Sequence, residues 1–404
     1  DLRLASTLAS GKRRTEKKVI MTKYPVQSRV VLTKAANQEF NAVTGRIGNA
    51  TIIRKHNLNV EYEVKNMCET YFKPGWQRIV AGYKSNQLNF DEAGLLQWLS
   101  EKPDCIKIAD ELLKYLDEGF MINPISDVNV HLKLESLLKD DPVQDNRALK
   151  ARIIVWQAKG ICAMYSFVFI EAKKRLKNLL KSEVVYTDGL EPSDIVAELA
   201  TVDQFTHFIE DDLTRQDSQT DKNTIDVEFA IYALLGVPMD ILKSWRKVHE
   251  HWRFKGKDVR GVWKEMRLTG QATTALGNAI VNLAVHWRLS KQLSSSLKKY
   301  LLLGDDGLFF TSSSIDATLL RRSIADYYNM KSKAFTYENY GTFCSMVSYK
   351  HSTGQPGIGP DFVRLKRRFE VPNGVSQATL SNVVARKMSY CMMLGDLKPV
   401  RELI

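Results

Sequence analysis

The sequence has no Cys-x-x-Cys pair. Its five cysteines (Cys68, Cys105, Cys162, Cys344 and Cys391) are widely spaced and form no metal-ligand rhythm with the seven histidines. That excludes a zinc ribbon or finger and predicts free thiols in a reducing compartment rather than a disulfide framework. No stretch approaches the roughly 20 apolar residues of a membrane span, so no transmembrane segment is expected. No signal peptide opens the chain, and Asp1 stands where Met would begin a complete product, as expected of a piece of a larger polypeptide. His207 has no serine or cysteine nucleophile motif beside it, which leaves it an ordinary strand residue. Acidic residues are the minority charge, 46 against 58 lysines and arginines, for a net +12 and a pI near 9.3. A balance of that sign favours a polyanionic partner, nucleic acid or an anionic membrane surface, although it also serves solubility alone.

At 404 residues the chain is too long for one simple core and predicts two or three subdomains. A hydrophobic content of 44% with 26% charged residues is ordinary for a globular protein. The densest signal is residues 301–310, LLLGDDGLFF. Two apolar runs flank Gly304-Asp305-Asp306-Gly307, and Asp-Gly between such runs predicts a hairpin whose turn needs positive φ angles. Two carboxylates at one tip repel each other, which makes sense once a divalent cation sits between them. Oxygen-only ligands suit Mg²⁺ or Mn²⁺ rather than zinc. Alone the motif is weak, since average usage yields a chance Gly-Asp-Asp in on the order of one in ten chains this long.

Other stretches supply complementary chemistry. Residues 146–160, NRALKARIIVWQAKG, set Arg147, Lys150, Arg152 and Lys159 around an apolar strand at 153–156. Lys150 and Arg152 share a strand face and suit a triphosphate; the bland alternative is a basic edge strand that blocks aggregation. Residues 204–221, QFTHFIEDDLTRQDSQTD, fit a strand running into acids, with Asp212 and Asp217 separated by four residues. The first can hold a metal and the second, past a turn, can face a sugar. Glu210 and Asp211 leave the register open, and an exposed acidic strand end is the alternative. In TGQATTALGN, Gly270 is a flexible joint before a helix, and Thr274 and Asn278 lie on one helical face, able to read a ribose edge or merely to solvate the helix.

The remaining stretches read as scaffold or as surface. Residues 88–119 form two helices divided by Pro103, and further helices are expected at 163–180, 222–235, 316–328 and 377–394. The basic arm GKRRTEKK reads as a solvated tail or an RNA contact. Trp245, Trp252, Phe254 and Trp263 among Arg246, Lys247, Arg253, Lys255 and Lys257 fit either an RNA-facing surface or a packed helix with a charged outer face. Glycine and proline between 354 and 360 mark an expected boundary.

In this order the motifs resemble the catalytic core of an RNA-dependent RNA polymerase of a positive-strand RNA virus. DLTRQD resembles the first palm motif, TGQATTALGN the second, GDD the third, NMKSK the fourth, FCSMV the fifth and KARIIVWQAK the cationic fingers motif. The resemblance runs from about Tyr24 to the end. YPVQSRVVLTKAANQEFNAV and QDSQTD are similar to the alphavirus-like superfamily, on its kitavirus, negevirus and benyvirus side. Thr269 replaces a frequent serine, and Gln216 stands where an aromatic residue often precedes the second aspartate; neither removes a group the chemistry needs.

The resemblance implies an α+β right hand: fingers at 1–185, palm at 186–229, a fingers insertion at 230–262, palm again at 263–353, and a short helical thumb at 354–404. It implies two-metal nucleotidyl transfer, with two Mg²⁺ or Mn²⁺ ions roughly 3.5–4 Å apart. Asp212 and Asp305 would hold both ions, with Asp306 secondary. Lys150, Arg152 and Lys159 would neutralise the triphosphate of an NTP. Asp217, Asn278 and Thr274 would test for the ribose 2′-hydroxyl, with Gly270 in the same nucleotide-binding set. Lys333, or else Lys331, resembles the general acid that protonates pyrophosphate. The implied partners are an RNA template, the nascent strand, NTPs, and methyltransferase and helicase domains. The implied location is the host cytoplasm at membrane-associated replication complexes. Two alternatives compete. A reverse transcriptase would put a bulky side chain near the ribose, and a non-catalytic RNA-binding scaffold would use the basic excess alone.

Overall fold

A computed structural model describes residues 3–6, 29–32, 38–47, 54–89, 91–117, 125–133, 136–139, 152–214, 216–257, 259–370 and 379–393. Its strands are numbered in chain order. The sheet that matters most runs β12 (Ser332–Tyr337), β7 (His207–Leu213), β11 (Asp306–Thr311), β10 (Leu297–Leu303) and β6 (Val184–Tyr186). Only the β6–β10 pairing is parallel.

Alternate residues of this sheet enter two different cores. Ile209, Tyr300, Leu302 and Phe309 pack toward the helices Thr274–Gln292 and Val60–Tyr71. Phe208, Leu301, Leu308 and Phe310 pack into a second cluster with Phe205 and Phe343. A strand covered on both faces has no polar side to show, which is why the sequence reads LLL and LFF without alternation. The Thr274–Gln292 helix is buried nearly all round, as its many apolar residues on every face require.

A second sheet runs β1 (Arg3–Ser6), β9 (Val259–Trp263), β8 (Trp252–Lys255), β3 (Asp127–Leu132) and β5 (Ile153–Gln157). It joins the N-terminal part of the chain to residues 252–263. Its aromatics point inward: Trp252, Phe254 and Trp263 are buried while Arg253 and Lys255 are exposed, and Trp245 is buried on the Met239–Glu250 helix. These rings therefore cannot stack on bases; they are packed as the alternative expected, but Trp252, Phe254 and Trp263 lie on strands where a helix was expected. The antiparallel ribbon of β2 (Arg29–Leu32) and β4 (Ser136–Lys139) stands apart from it.

The expected helices form, including Glu92–Ser100 and Cys105–Asp117 on either side of Pro103. The helix Lys222–Leu234 is capped by Asp221, whose Oδ1 accepts from the Thr224 N–H. It runs through the expected boundary at 230. Within the stretch of the boundary expected at 354–360 lies a strand: β13 (Tyr340–Phe343), β14 (Met346–Lys350) and β15 (Pro356–Pro360) form a three-stranded sheet. Pro356 and Pro360 are tolerated because β15 is an edge strand, where a missing N–H costs no ladder bond. All five cysteines are free. Among the described residues no helix is long and apolar enough to cross a membrane.

Candidate active site

The strand register brings the acids together. β7 and β11 are antiparallel with Asp212 directly opposite Asp306, and β12 sets Lys333 opposite Asp212 on the other side. The alternation that sends Phe208 and Leu308 to one face also carries Asp212, Asp306 and Lys333 there. Lys333 Nζ lies 4.0 Å from Asp212 Oδ2, both side chains more than 60% exposed. The hairpin turn differs from the Asp-Gly expectation. Leu303 pairs with Asp306, so the connection is Gly304-Asp305 alone, with positive φ (+60°) at Gly304 and not at Asp305. That is the type II′ pattern. Asp306 and Gly307 already belong to β11.

Asp305 and Asp306 are exposed at and beside the hairpin turn. Burial, then the charge of Asp306, and further Asp217 and Asp212, push the Asp305 carboxyl up to about 6. Asp306 is raised by burial and by Asp212, offset by the Cys344 thiol and Arg364. Asp305 and Asp306 are thus both disfavoured as anions, with the Asp212 charge contributing to each shift. A cation would relieve this.

The open register of Glu210-Asp211-Asp212 closes here. Asp211 turns to the opposite face and is buried, with Oδ2 2.9 Å from His286 Nε2. His286 Nδ1 donates to the Asn282 carbonyl at 2.9 Å. Glu210 accepts from the Thr342 N–H. Only Asp212 of the three faces the Asp305–Asp306 pair.

Cys344 adds a contact that sequence reasoning did not single out. Phe343 pairs with Met346, leaving Cys344-Ser345 as a two-residue turn with φ of +50° and +66°. A type I′ turn ordinarily uses glycine or asparagine, so two ordinary residues there are strained. The turn holds the Cys344 Sγ 3.3 Å from Asp306 Oδ2. Burial and then the Asp306 charge push the thiol pKa far up, so it stays a donor.

The 269–278 segment is built against β5. Thr269 Oγ1 accepts from the Val155 N–H at 2.9 Å and donates to the Val155 carbonyl at 3.2 Å. Gly270 lies so close that a Cβ there would meet Trp156 Cβ and Val155 O at 3.0 Å. The glycine thus serves close approach, with β5 packed on it, where flexibility was expected. Thr274 Oγ1 donates to the Leu268 carbonyl at 2.7 Å and accepts from the Gln271 N–H at 3.1 Å, so its hydroxyl is occupied by its own loop. Asn278 has a buried Oδ1 with no hydrogen-bond partner. Its backbone carbonyl accepts from Gln216 Nε2 at 2.9 Å, which ties Asn278 to the turn carrying Asp217. Behind it Arg267 and Glu228, both fully buried, form an ion pair. Burial lowers Arg267 to about 9, with Asp217 acting in the other direction.

Of the expected triphosphate cations, Lys150 lies outside the described residues. Arg152 is exposed just before β5. Lys159 is exposed and paired with Asp104 at 2.6 Å. Lys331 is exposed too, its backbone N–H donating to Gln219 Oε1.

Among the described residues no three His, Cys, Asp or Glu side chains converge on one ready-made metal point. The donor set nevertheless fits Mg²⁺ or Mn²⁺. Such ions bind through one or two carboxylates and complete their shell with water and substrate phosphates, so a closed cage is not required. Three carboxylates on one hairpin and its neighbouring strand, with Lys333 beside Asp212 and Arg364 acting on Asp306, are that kind of site.

Residues 51–380 match a family model described as RNA dependent RNA polymerase. The chain belongs to the RNA-dependent RNA polymerase family. Relatives include the replicase large subunit of Turnip vein-clearing virus, 22% identical over 330 residues, covering 78% of this chain and 20% of the relative. The RNA-directed RNA polymerase 2a of Alfalfa mosaic virus is 28% identical over 185 residues, 44% of this chain and 23% of the relative. The chain therefore spans about a fifth of the length of these relatives. The viral sources agree with the expected alphavirus-like placement.

Sequence reasoning also missed Asn282, His286 and Ser290 in this polymerase-family chain. All are buried on one stripe of the Thr274–Gln292 helix, four residues apart and continuing from Asn278. The signal was legible: a polar residue at every fourth position of an otherwise apolar helix. Asn282 meets the carboxylate turn, His286 meets Asp211, and Ser290 Oγ lies 2.9 Å from the Tyr71 hydroxyl.

Proposed function

We propose that the chain is the catalytic domain of a viral RNA-dependent RNA polymerase, adding NTPs to the 3′ end of a nascent strand copied from an RNA template. The observation that carries this reading is the register that sets Asp306 opposite Asp212, with Asp305 one residue before it and Lys333 on the far side. Asp212 and Asp305 would hold two Mg²⁺ or Mn²⁺ ions, with Asp306 a secondary ligand. Bound there, the ions supply an activated 3′-oxygen and a stabilised leaving group. Lys333, its Nζ 4.0 Å from Asp212 Oδ2, is assigned to the departing pyrophosphate.

Lys150, Arg152 and Lys159 are assigned to the triphosphate, whose growing charge they would offset. For Lys159 this means exchanging Asp104 for a phosphate. Asp217 and Asn278 are assigned to the ribose 2′-hydroxyl, to which the unpartnered Asn278 Oδ1 offers an acceptor. Thr274 contributes by fixing the loop ahead of Asn278. In the right-hand reading the sheet with the acids is the palm, at 186–229 and 263–353. The fingers are 1–185 with 230–262, and the thumb is 354–404. The sheet shared by β1, β3, β5, β8 and β9 supports grouping the two fingers segments. Methyltransferase and helicase partners, and work at membrane-associated complexes in the host cytoplasm, complete the proposal.

The test is labelled-nucleotide incorporation on a primed RNA template with Mg²⁺, wild type against Asp305→Ala. Incorporation that the substitution abolishes supports the polymerase and its metal site together. RNA binding without extension by either protein points to a scaffold, and activity that survives the substitution sinks the site assignment.

A further inference from the structure

The turn that carries Asp305 is open on its Gly304 side, where a Cβ would meet nothing within 4 Å. What holds it comes from below. Asn282, fully buried in the middle of the Thr274–Gln292 helix, donates from Nδ2 to the Asp305 carbonyl at 2.7 Å and to the Gly304 carbonyl at 3.3 Å. Those are the two residues of the turn. The amide faces one way because the two turn carbonyls can only accept, which leaves Oδ1 to accept from the Tyr300 hydroxyl at 2.6 Å and steadies the side chain from the other side. Tyr300 is itself locked, fully buried on β10 and stacked on Phe309 with ring centroids 3.9 Å apart and planes 9° apart. The backbone carbonyl of Asn282 accepts from His286, which bonds Asp211 next to Asp212. One helix turn thus touches both acid-bearing strands.

Gly307 fits the same arrangement. It lies inside β11 with an ordinary φ, so the turn does not require it. A Cβ there would meet the Tyr300 ring at 3.2 Å and Asn282 Oδ1 at 3.5 Å. The second glycine of the GDDG motif keeps room for the Tyr300–Asn282 pair under the carboxylates.

We propose that Asn282, oriented by Tyr300, is the positioning residue that sets the height and direction of Asp305 for a divalent cation. It touches neither substrate nor metal; it acts through the two turn carbonyls. This rests on the metal-carboxylate reading of the site given above. Asn282→Asp keeps the size but replaces the donor with an acceptor facing two carbonyl oxygens. Tyr300→Phe keeps the buried ring and its stacking and removes the hydrogen bond that steadies the amide from the Oδ1 side.

The experiment measures four quantities for wild type, Asn282→Asp and Tyr300→Phe: the thermal midpoint, Mn²⁺ affinity by calorimetry without RNA, and kcat and NTP KM on a primed template. Supporting partners of metal ligands typically cost about 10–100-fold in affinity or activity when changed, and Asn282→Asp is expected to do so in both Mn²⁺ affinity and kcat. NTP KM should stay within about twofold, since no contact to the nucleotide is lost. Tyr300→Phe should move the same readings in the same direction by less. Wild-type Mn²⁺ affinity in folded Tyr300→Phe and Asn282→Asp overturns the inference. If Asn282→Asp fails to fold, wild-type Mn²⁺ affinity in Tyr300→Phe alone overturns it. Wild type that binds Mn²⁺ but incorporates no nucleotide sinks the polymerase reading while the Mn²⁺ comparison still decides this one. Wild type that binds no Mn²⁺ overturns both.

Discussion

Asp306 lies directly opposite Asp212 across β11 and β7, two carboxylates in the position where a sheet ordinarily pairs opposite charges. Like charges so placed destabilise the metal-free fold, by about 0.2–1 kcal/mol for an exposed cross-strand pair. Asp306→Asn should therefore raise the unfolding free energy in chelator by that amount while lowering nucleotide incorporation at least tenfold. Urea titrations with EDTA, run beside incorporation assays, check both halves. A variant that loses stability in chelator would contradict the electrostatic account.

His249 sets an acid limit. It is fully buried among Trp245, Phe229 and Trp252, its Nδ1 donating to the Trp245 carbonyl and its Nε2 accepting from Gln271. Burial holds its pKa down at about 4. The unfolded chain then takes up a proton first, near its ordinary value of roughly 6.5. Stability present above that pH is lost as pH falls toward 4, by up to about 3 kcal/mol. His249→Gln should flatten this slope between pH 6.5 and 4.5 in urea titrations. Equal slopes in wild type and variant would refute it.

Gly277 is reserved by an ion pair. A Cβ added there would land on Arg267 Nη1 and Glu228 Oε1, and both groups are fully buried with no room to yield. Gly277→Ala should break the pair and cost about 3–5 kcal/mol, the usual consequence of uncoupling a buried pair. Thermal unfolding would report it as a large drop in Tm.

Gly304 needs its backbone, not its space. Its φ is +60°, and the surroundings leave a Cβ there free of any contact within 4 Å. Gly304→Ala should cost about 1–2 kcal/mol through the left-handed conformation alone, and Gly304→Asn less. Equal urea midpoints for the two variants would argue that the turn changes type when glycine is lost.

How much of this was legible varied with the range of the interaction. The hairpin at 301–310, the helices on either side of Pro103 and the acids around Asp212 follow from local text, because apolar runs, caps and turn residues act over a few positions. Which of Glu210, Asp211 and Asp212 faces the GDD turn was not legible. A strand alternates faces whatever its neighbours, and only pairing with β11 fixes the sense. The strand Pro356–Pro360 was not legible because edge strands tolerate the same residues that loops prefer.

The sequence by itself determined the chemistry present: paired aspartates, cations near an apolar strand, a Thr–Asn helix face and a lysine beyond the hairpin. Tertiary structure decided which of these meet. It matched Lys333 to Asp212, turned Asp211 away to His286, tied up the Thr274 hydroxyl in its own loop and set Asn282 beneath Asp305. The reason is distance along the chain. Asp212 and Asp306 are 94 positions apart in the numbering, and no local preference acts over that span; only strand register and the packing of one buried helix do.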